Sequence, residues 1–189
     1  MGRWEPGAGG RLREAALTLY LERGFEETMV ADIAERAGVT ARTFFRHFAD
    51  KREVLFDRAA EMAENSLAAL EAAPASATTL EVVAAALYAV ADLIGPEREL
   101  ARQRHAVIMA NAELRERELI KLEHMSAALA DALRQRGVGD AEAALAAETG
   151  AAVYRVAFQR WVDAADDDLD LRDTLRESFA QLHTLTTAR

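Results

Sequence analysis

Apolar residues recur along this chain with the spacing of amphipathic helices, and no window alternates in the manner of a β-strand. Leu12, Ala15, Ala16 and Leu19 keep the i, i+3, i+4, i+7 rhythm of a first helix. Gly24 follows at the place where a glycine ends a helix in a left-handed conformation. The pattern therefore predicts an all-α protein whose first helix ends at Gly24.

Three further helices are predicted immediately after this one. Thr28 is placed to cap a short second helix, which Gly38 ends, and Thr40 is placed to cap a third. Asp50, with a glutamate three residues later, forms a capping-box pattern. We therefore expect a fourth helix from this position to about Leu70.

The rest of the chain keeps the helical rhythm after a connector at 72–79 that contains Pro74. The predicted helices are Leu80–Ile94, Pro96–Ala110, Glu113–Arg136, Ala141–Asp163 and Leu171–Thr186. The acidic run at 166–170 lacks the spacing of a calcium loop and is interpreted as a helix-capping turn. We expect a flexible N-terminal arm at 1–10, a first domain at 11–57 and a second at 58–189.

The composition excludes several classes of chemistry. The 189 residues include no cysteine, which removes disulfides, zinc–thiolate sites and iron–sulfur clusters. The sequence contains no nucleophile elbow, no glycine-rich phosphate loop and no His-Glu-x-x-His pattern. It also contains no signal peptide and no long uninterrupted apolar run. We expect a cytoplasmic protein without membrane association, catalytic residues, metal or resident cofactor.

Charge is segregated along the chain. The net charge is −9, yet residues 1–58 carry equal numbers of basic and acidic side chains, so the whole deficit lies after residue 58. Within the first part, residues 36–52 contain five basic side chains and one acidic side chain. A small basic face on an acidic protein suits nucleic-acid binding by the N-terminal domain alone.

The second and third predicted helices have the arrangement of a helix-turn-helix motif. Ala34 is small where the two helices cross, and Gly38 supplies the backbone freedom of the turn. Phe44 points from the third helix into the core. Two short helices joined by a glycine turn within about twenty residues predict a DNA-binding unit.

Basic and polar side chains then lie on the outer surface of this unit. Arg42 and Arg46 are four residues apart, so both guanidinium groups face the same side, where they can meet guanine O6 and N7 in a major groove. Thr43 and His47 flank them. Thr28, Thr40 and Lys51 are placed at helix starts, where hydroxyl, ammonium and backbone N–H groups bind phosphate.

The segment ADIAERAGVTARTFFRHFADKREVLF, residues 31–56, resembles the TetR-type transcriptional regulators, as does the GF ending of the first helix. The resemblance implies a three-helix DNA-binding domain, a fourth linking helix, and a C-terminal helical domain that dimerises and binds an effector. The positions that match DNA-contacting residues of the family are Thr40, Arg42, Thr43, Phe45, Arg46, His47 and Lys51.

This sequence departs from the family at Phe45, where tyrosine is usual. Phenylalanine cannot donate a hydrogen bond to phosphate, so we expect stacking on sugar or backbone and a weaker contact there. The FFRHF variant, followed by an acidic domain punctuated by arginines, also resembles the subgroup thought to bind acyl-CoA-like ligands.

The predicted helix Ala141–Asp163 has two opposite apolar faces. One face is expected to be core, and the other to form a four-helix dimer interface with the last helix. The predicted interface residues are Val153, Ala157, Trp161, Leu175, Phe179 and Leu182. A monomer with a wide core is the alternative.

Polar groups on otherwise apolar helices are the candidates for an effector pocket. They are Tyr88, Arg104, His105, His124, Tyr154, Arg155 and Gln159, and the apolar Phe158, which is also suited to packing, is included with them. Arg155 stands among alanines and valines, so it is predicted to be buried with an anionic partner, either Glu148 or a ligand. The arginines at 98, 102, 104, 115 and 117 could hold ligand phosphates or form a solvated face.

These observations predict a homodimeric regulator of the TetR type that binds a palindromic DNA operator. Release by a small hydrophobic or amphipathic effector, of acyl-CoA-like chemistry on the resemblance, would make it a repressor. The alternative is a helical small-molecule-binding protein or enzyme that does not bind DNA.

Overall fold

The computed structural model describes residues 7–165 and 169–187. It is 81% helical and places no β-strand among these residues, which confirms the predicted all-α class. The helices are α1 Ala8–Arg23, α2 Val30–Arg36, α3 Ala41–His47, α4 Ala59–Ala72, α5 Thr79–Ile94, α6 Arg98–Ala110, α7 Ala112–Gln135, α8 Asp140–Asp163 and α9 Leu171–Thr187. Because α1 begins at Ala8, residues 8–10 of the predicted arm are helical. Residues 166–168 of the predicted capping turn lie outside the described ranges.

The first three helices enclose one small core. Leu12 of α1, Ile33 of α2 and Phe44 of α3 are all completely buried. Gly24 ends α1 with φ +90°, a conformation that side-chain-bearing residues rarely adopt. The predicted helix order and the ends at glycine are confirmed for this part of the chain, but with ψ at 156° Gly24 does not adopt the left-handed helical conformation that was predicted.

The fourth helix begins later than the capping-box pattern predicts. Asp50 lies just before a helical turn, and its Oδ1 accepts hydrogen bonds from the N–H groups of Arg52 at 2.8 Å and Glu53 at 3.1 Å. That turn is a short 3₁₀ helix, Glu53–Phe56, and α4 starts only at Ala59. Burial alone would raise the pKa of Asp50, but hydrogen bonds from the Arg52 side chain and the two backbone groups lower it on balance.

The described residues group into two compact units. The first comprises the described residues up to Arg58 together with Gln103–Glu116, and the second comprises Ala59–Arg102 together with those from Arg117 onward. Gln103–Glu116 therefore packs within the first unit, although the sequence placed it in the second domain. A division into contiguous segments cannot anticipate a helix that returns to an earlier domain.

Arg104 has a structural role within the first unit. Its Nε–H donates to the backbone oxygen of Leu55 at 2.6 Å, and its guanidinium lies over the ring of Phe56 with 5.1 Å between them. These contacts fasten α6 to the 3₁₀ turn. The prediction that Arg104 belongs to a pocket in the C-terminal domain was wrong, because the side chain is used in packing the N-terminal unit.

Helix α5 forms the centre of the second unit. Val83, Leu87 and Val90 are completely buried, and α4, α8 and α9 all pack against this helix. By length and composition alone, the stretch Thr79–Ala110 is also apolar enough to cross a membrane, with a mean hydropathy of 1.5 in its best window. Core helices of globular proteins pass the same test, and the burial of α5 among its neighbours accounts for its composition.

Two arginines of α6 cap the end of α8 within the second unit. Arg98 Nη2 donates to the backbone oxygens of Trp161 at 2.6 Å and Ala164 at 2.8 Å. Arg102 Nε donates to the backbone oxygen of Val162 at 3.1 Å. The last carbonyls of a helix lack intrahelical partners, so these guanidinium groups satisfy them. The sequence left open whether these arginines hold ligand phosphates or form a solvated face. Arg98 and Arg102 do neither, because their guanidinium groups donate to backbone oxygens.

Helix α4 contains a buried hydroxyl that none of the described residues satisfies. Ser66 is 1% exposed, and its Oγ has no hydrogen-bond partner among the described residues. Since an unsatisfied buried hydroxyl costs about 1–3 kcal/mol, we expect Ser66→Ala to raise the free energy of unfolding by about 1 kcal/mol in a urea titration. Ser126→Ala is the control and should lower it, because Ser126 Oγ donates to Glu148 Oε1 at 2.6 Å. Equal losses in the two variants would contradict the prediction.

Candidate nucleic-acid interface

The turn between α2 and α3 sets the angle of a helix-turn-helix motif. Gly38 has φ +67°, and the N–H of Val39 donates to the backbone oxygen of Ala34 at 2.9 Å. Ala34 is 2% exposed at the helix crossing. A larger residue at either Ala34 or Gly38 would therefore push α3 away from α2 or strain the turn.

Helix α3 buries one side and exposes the other. Phe44 and Phe48 hold it in the core, whereas Arg42 and Arg46 point outward and are exposed. Within the described part of the chain, neither guanidinium has a hydrogen bond or an ion pair. Together with Thr43 and Phe45 they line one open concavity. An outward helix face with two unpaired guanidinium groups fits the major groove of DNA and its guanine edges.

Thr40 caps α3 as predicted. Its Oγ1 accepts a hydrogen bond from the N–H of Thr43 at 3.2 Å, and the two hydroxyl oxygens also lie 3.2 Å apart. Thr40 is exposed and Thr43 half-buried. His47, at the other end of the helix, is exposed and packs its ring against Phe48 with 6.2 Å between ring centroids. These three side chains stay predicted DNA contacts.

Thr28 does not face outward. It is 1% exposed, and its Oγ1–H donates to the backbone oxygen of Gly24 at 2.8 Å. Helix α2 begins one residue later than predicted, with Met29 as its first flanking residue, and the Met29 N–H is satisfied by Asp32 Oδ2 at 3.2 Å. The prediction that Thr28 caps α2 and contacts DNA was wrong, because the α1–α2 turn uses its hydroxyl internally.

Lys51 is also used inside the unit. Its Nζ donates to the backbone oxygens of Phe25, Glu26 and Thr28 at 2.8, 3.1 and 3.1 Å, and it lies 4.4 Å from the centre of the Phe25 ring. An ammonium group has three hydrogens, so none is left to donate to a phosphate. The predicted phosphate contact of Lys51 is therefore corrected to a clamp on the α1–α2 turn.

We expect Lys51→Met to destabilise the first unit without changing the number of phosphate contacts that the protein makes to DNA. Methionine keeps the apolar stem but cannot donate hydrogen bonds to the three backbone oxygens. We expect this loss to lower the free energy of unfolding by an amount on the order of 1–3 kcal/mol. Urea unfolding measures the loss, and the salt dependence of DNA binding measures the number of phosphate contacts. If the free energy of unfolding is unchanged and the slope of log affinity against log salt concentration falls by about one, Lys51 contacts a phosphate after all.

The predicted effector residues of the second unit do not converge. Tyr154 is buried and stacks on Phe158 with 5.7 Å between centroids, whereas Arg155 is exposed. His124 and Gln159 are also exposed, and Gln159 Nε2 donates to an aspartate on its own helix. Arg155 was predicted to be a buried guanidinium, and that prediction was wrong because it lies on the outward side of α8. Glu148, its predicted partner, accepts from Ser126 instead.

Tyr88 and His105 occupy different surroundings. Tyr88 is half-buried, with its ring centroid 6.4 Å from that of Phe179 and the Arg172 guanidinium 4.8 Å over its face. His105 is half-buried and belongs to the first unit with Arg104. Of the predicted pocket, only Tyr88, Tyr154 and Phe158 face the interior of the second unit.

Most of the predicted dimer-interface residues lie in the monomer core. Val153, Ala157, Trp161 and Leu175 are at most 7% exposed, and Phe179 and Leu182 are half-buried against the same cluster. The prediction was wrong for the first four because α8 packs on α5 and on α9 at once, which buries a wide arc of the helix within one chain.

The apolar residues that do face outward on α8 were missed. Leu145 is 70% exposed and Val156 is 54% exposed. With Ala152, which is also exposed, they follow one line along the helix, because eleven residues make just over three complete turns. The helical spacing of Leu145, Ala152 and Val156 can be recognised in the sequence. It does not stand out there, because the residues on the core side of α8 are apolar as well.

Two known families match this chain. Residues 12–57 match the family of bacterial regulatory proteins, tetR family, and residues 77–186 match the MftR C-terminal domain. The HTH-type transcriptional regulator TcmR of Streptomyces glaucescens is 36% identical over 179 residues, which cover 89% of this chain and 79% of TcmR. The HTH-type transcriptional repressor KstR2 of Mycobacterium tuberculosis is 41% identical over 46 residues, 24% of this chain and 23% of KstR2.

Solved structures of similar fold include two proteins named FadR. FadR of Thermus thermophilus, a TetR-family repressor in complex with lauroyl-CoA, has a TM-score of 0.59 and 24% identity and covers 96% of each chain. FadR of Bacillus subtilis in complex with stearoyl-CoA has a TM-score of 0.64 and 22% identity, over 95% of this chain and 98% of FadR. The relatives are transcriptional regulators and not enzymes. The chain belongs to the TetR family of transcriptional regulators.

Proposed function

We propose that this regulator is a repressor that binds a palindromic operator as a homodimer and is released from it by a small amphipathic effector. The observation that carries the proposal is the outward face of α3, where Arg42 and Arg46 are exposed and no described residue pairs with either of them. A guanidinium fork pairs with guanine O6 and N7, so two such groups one turn apart can recognise neighbouring base pairs. The protein would act in the cytoplasm, where its DNA target lies.

The proposal is tested by anisotropy titration of labelled duplex from upstream of the protein's own gene, with a scrambled duplex as control. We expect much tighter binding to the first duplex, with affinity falling steeply between two salt concentrations. If neither duplex is preferred, the titration is repeated with duplexes selected from a random pool. A pool that yields no preferred sequence would overturn the proposal in favour of a helical small-molecule-binding protein.

A dimer is supported by the outward line of Leu145, Ala152 and Val156 on α8. A short recognition helix gains useful affinity only when a symmetric partner occupies a second half-site. Apolar residues aligned on one helix face can pack on their symmetry copies in an isologous interface. We place the dimer contact on this line and not on the buried residues first predicted.

We expect Val156→Arg to shift the protein from dimer to monomer. Two copies of the new charge would meet near the symmetry axis, and burying unpaired charges there costs several kcal/mol. Sedimentation velocity measures the change, and operator affinity should fall with it. Leu119→Arg on α7 is the matched control, since Leu119 is 58% exposed and lies off this line. A dimer that survives Val156→Arg and dissociates with Leu119→Arg would move the interface to α7.

We propose that the effector binds the second unit beside the stacked rings of Tyr154 and Phe158, which combine apolar surface with one phenol group. The complexes of the FadR proteins with acyl-CoA support a ligand of that class. If the effector favours one state of the dimer and DNA favours another, each ligand lowers the affinity for the other by the same factor. Lauroyl-CoA titrated into the operator complex is the first probe, with free coenzyme A as control. Binding that is equally tight to free and operator-bound dimer would contradict release.

A further inference from the structure

Phe45 presents an aromatic ring to solvent on the DNA-facing surface of α3. It is 58% exposed, among the most exposed large apolar side chains of the first unit. Its ring is held edge-on against the buried Phe44, with 5.4 Å between centroids and 83° between ring planes. An exposed ring anchored in this way is ordered before any partner arrives, so binding to it costs little side-chain entropy.

The ring shares its concavity with two cations. Arg42, Thr43 and Arg46 line the same open surface. At about 100° per residue, Phe45 lies roughly 100° around the helix from Arg46 and roughly 60° from Arg42. Phe45 is thus at the flank of the face whose centre is Arg46, and it stands beside Arg42. When α3 enters a groove, a flank residue meets the outer edges of the bases near one strand.

The partner of this ring must be apolar and must lie next to a guanine-contacting arginine. Phenylalanine has no hydroxyl to donate to a phosphate. In the major groove the one apolar group on a base edge is the 5-methyl of thymine, which projects on the side nearest its own strand. We propose that Phe45 packs on the 5-methyl group of a thymine adjacent to the base pair contacted by Arg42, and thereby specifies a T·A pair in each half-site.

This inference rests on the proposed operator binding and deepens it. A contact to sugar would bury the same ring area but would be indifferent to sequence. With a methyl contact, by contrast, the affinity depends on whether the base at one position of each half-site carries its 5-methyl group. The two contacts therefore differ in one measurable property, which is the effect of removing that methyl group from the DNA.

The test uses the full-length protein and an operator selected from a random duplex pool. Each thymine of the half-site is replaced in turn by deoxyuridine, in both half-sites together, which removes only the methyl group. We expect one position at which this change weakens wild-type binding about fourfold per half-site, as expected for one buried methyl. At the same position, 5-methylcytosine should bind more tightly than cytosine, because it restores the methyl group.

Protein variants then assign the methyl group to its contact. Phe45→Ala should bind the operator more weakly and lose the deoxyuridine penalty at that position alone. Met29→Ala is the matched control, since Met29 is 67% exposed in the same unit, and it should retain the penalty. Both residues are at the surface, and unchanged unfolding midpoints in urea would show that the two variants remain folded.

Three results would overturn the inference. Deoxyuridine without effect at every position would leave Phe45 on the sugar–phosphate backbone. A penalty that persists undiminished in Phe45→Ala would assign the methyl contact to another side chain, such as Thr43. Failure to select any preferred duplex would overturn the proposed function as well, and it would be seen before any thymine is replaced.

Discussion

Replacement of Arg42 and Arg46 together by alanine is expected to abolish the preference for operator over scrambled DNA. Each bidentate contact between arginine and guanine contributes about 1–3 kcal/mol of discrimination, and a dimer would make two such contacts in each half-site. The total of roughly 4–12 kcal/mol spans the whole ordinary difference between specific and non-specific binding. Anisotropy titrations against both duplexes measure the loss directly.

The fold should be unaffected, because both side chains are exposed and the described part of the chain gives neither an ion-pair partner. The matched control is the replacement of both arginines by lysine. Lysine keeps the positive charge and loses the planar fork, so this variant should retain salt-dependent, non-specific binding but lose most of the sequence preference. If the alanine variant still prefers the operator to scrambled DNA as strongly as the wild type, α3 is not the recognition helix.

Substitution of Gly150 by leucine is expected to prevent stable folding of the second unit. A Cβ atom at this position of α8 would overlap Cγ1 of Val83 on α5, and that overlap would force the helices apart. Val83 is completely buried and β-branched, so it cannot rotate away. Even Gly150→Ala, which gains up to about 1 kcal/mol of helix propensity, should lower the free energy of unfolding by about 1–3 kcal/mol in net terms.

Gly9→Ala is the matched control. Gly9 lies in α1, where an added Cβ would meet Nδ1 of His47 at 3.6 Å, an ordinary van der Waals distance. This variant should be neutral or slightly more stable in urea. A second control combines Gly150→Ala with Val83→Ala, which removes the clashing methyl groups, and the pair should cost less than the sum of its parts. A Gly150→Ala protein as stable as the wild type would show that α5 and α8 separate without cost.

The N-terminal motif was largely predictable because its determinants are local. Gly38 at a positive φ, Ala34 at the crossing and Thr40 at the start of α3 each act within a few residues of their partners. The alternation of buried and exposed positions on α3 then follows from helix geometry alone. For this reason the exposure of Arg42 and Arg46 could be expected before any tertiary structure was known.

The errors at Thr28 and Lys51 arose because backbone oxygens already use their donor groups: Thr28 donates to Gly24, four residues earlier, and Lys51 donates to carbonyls that are distant in sequence. Threonine at a predicted helix start and lysine near the motif both suggest phosphate binding. Only the folded chain brings Nζ of Lys51 to the backbone oxygens of Phe25, Glu26 and Thr28, more than twenty residues earlier. Sequence shows which hydrogen-bonding groups a side chain has, but it does not show whether a distant carbonyl already uses them.

The sequence by itself determined the all-α class, the family and the outward arginines of the recognition helix, because periodicity, glycine placement and capping act over short distances. Tertiary structure alone decided which apolar face of α8 is core. Packing against both α5 and α9 buries Val153, Ala157 and Trp161 and leaves Leu145 and Val156 at the surface. It also assigned Arg98, Arg102 and Arg104 to backbone oxygens within their own units. Burial and the choice of hydrogen-bond partner depend on the whole fold, and no local pattern encodes them.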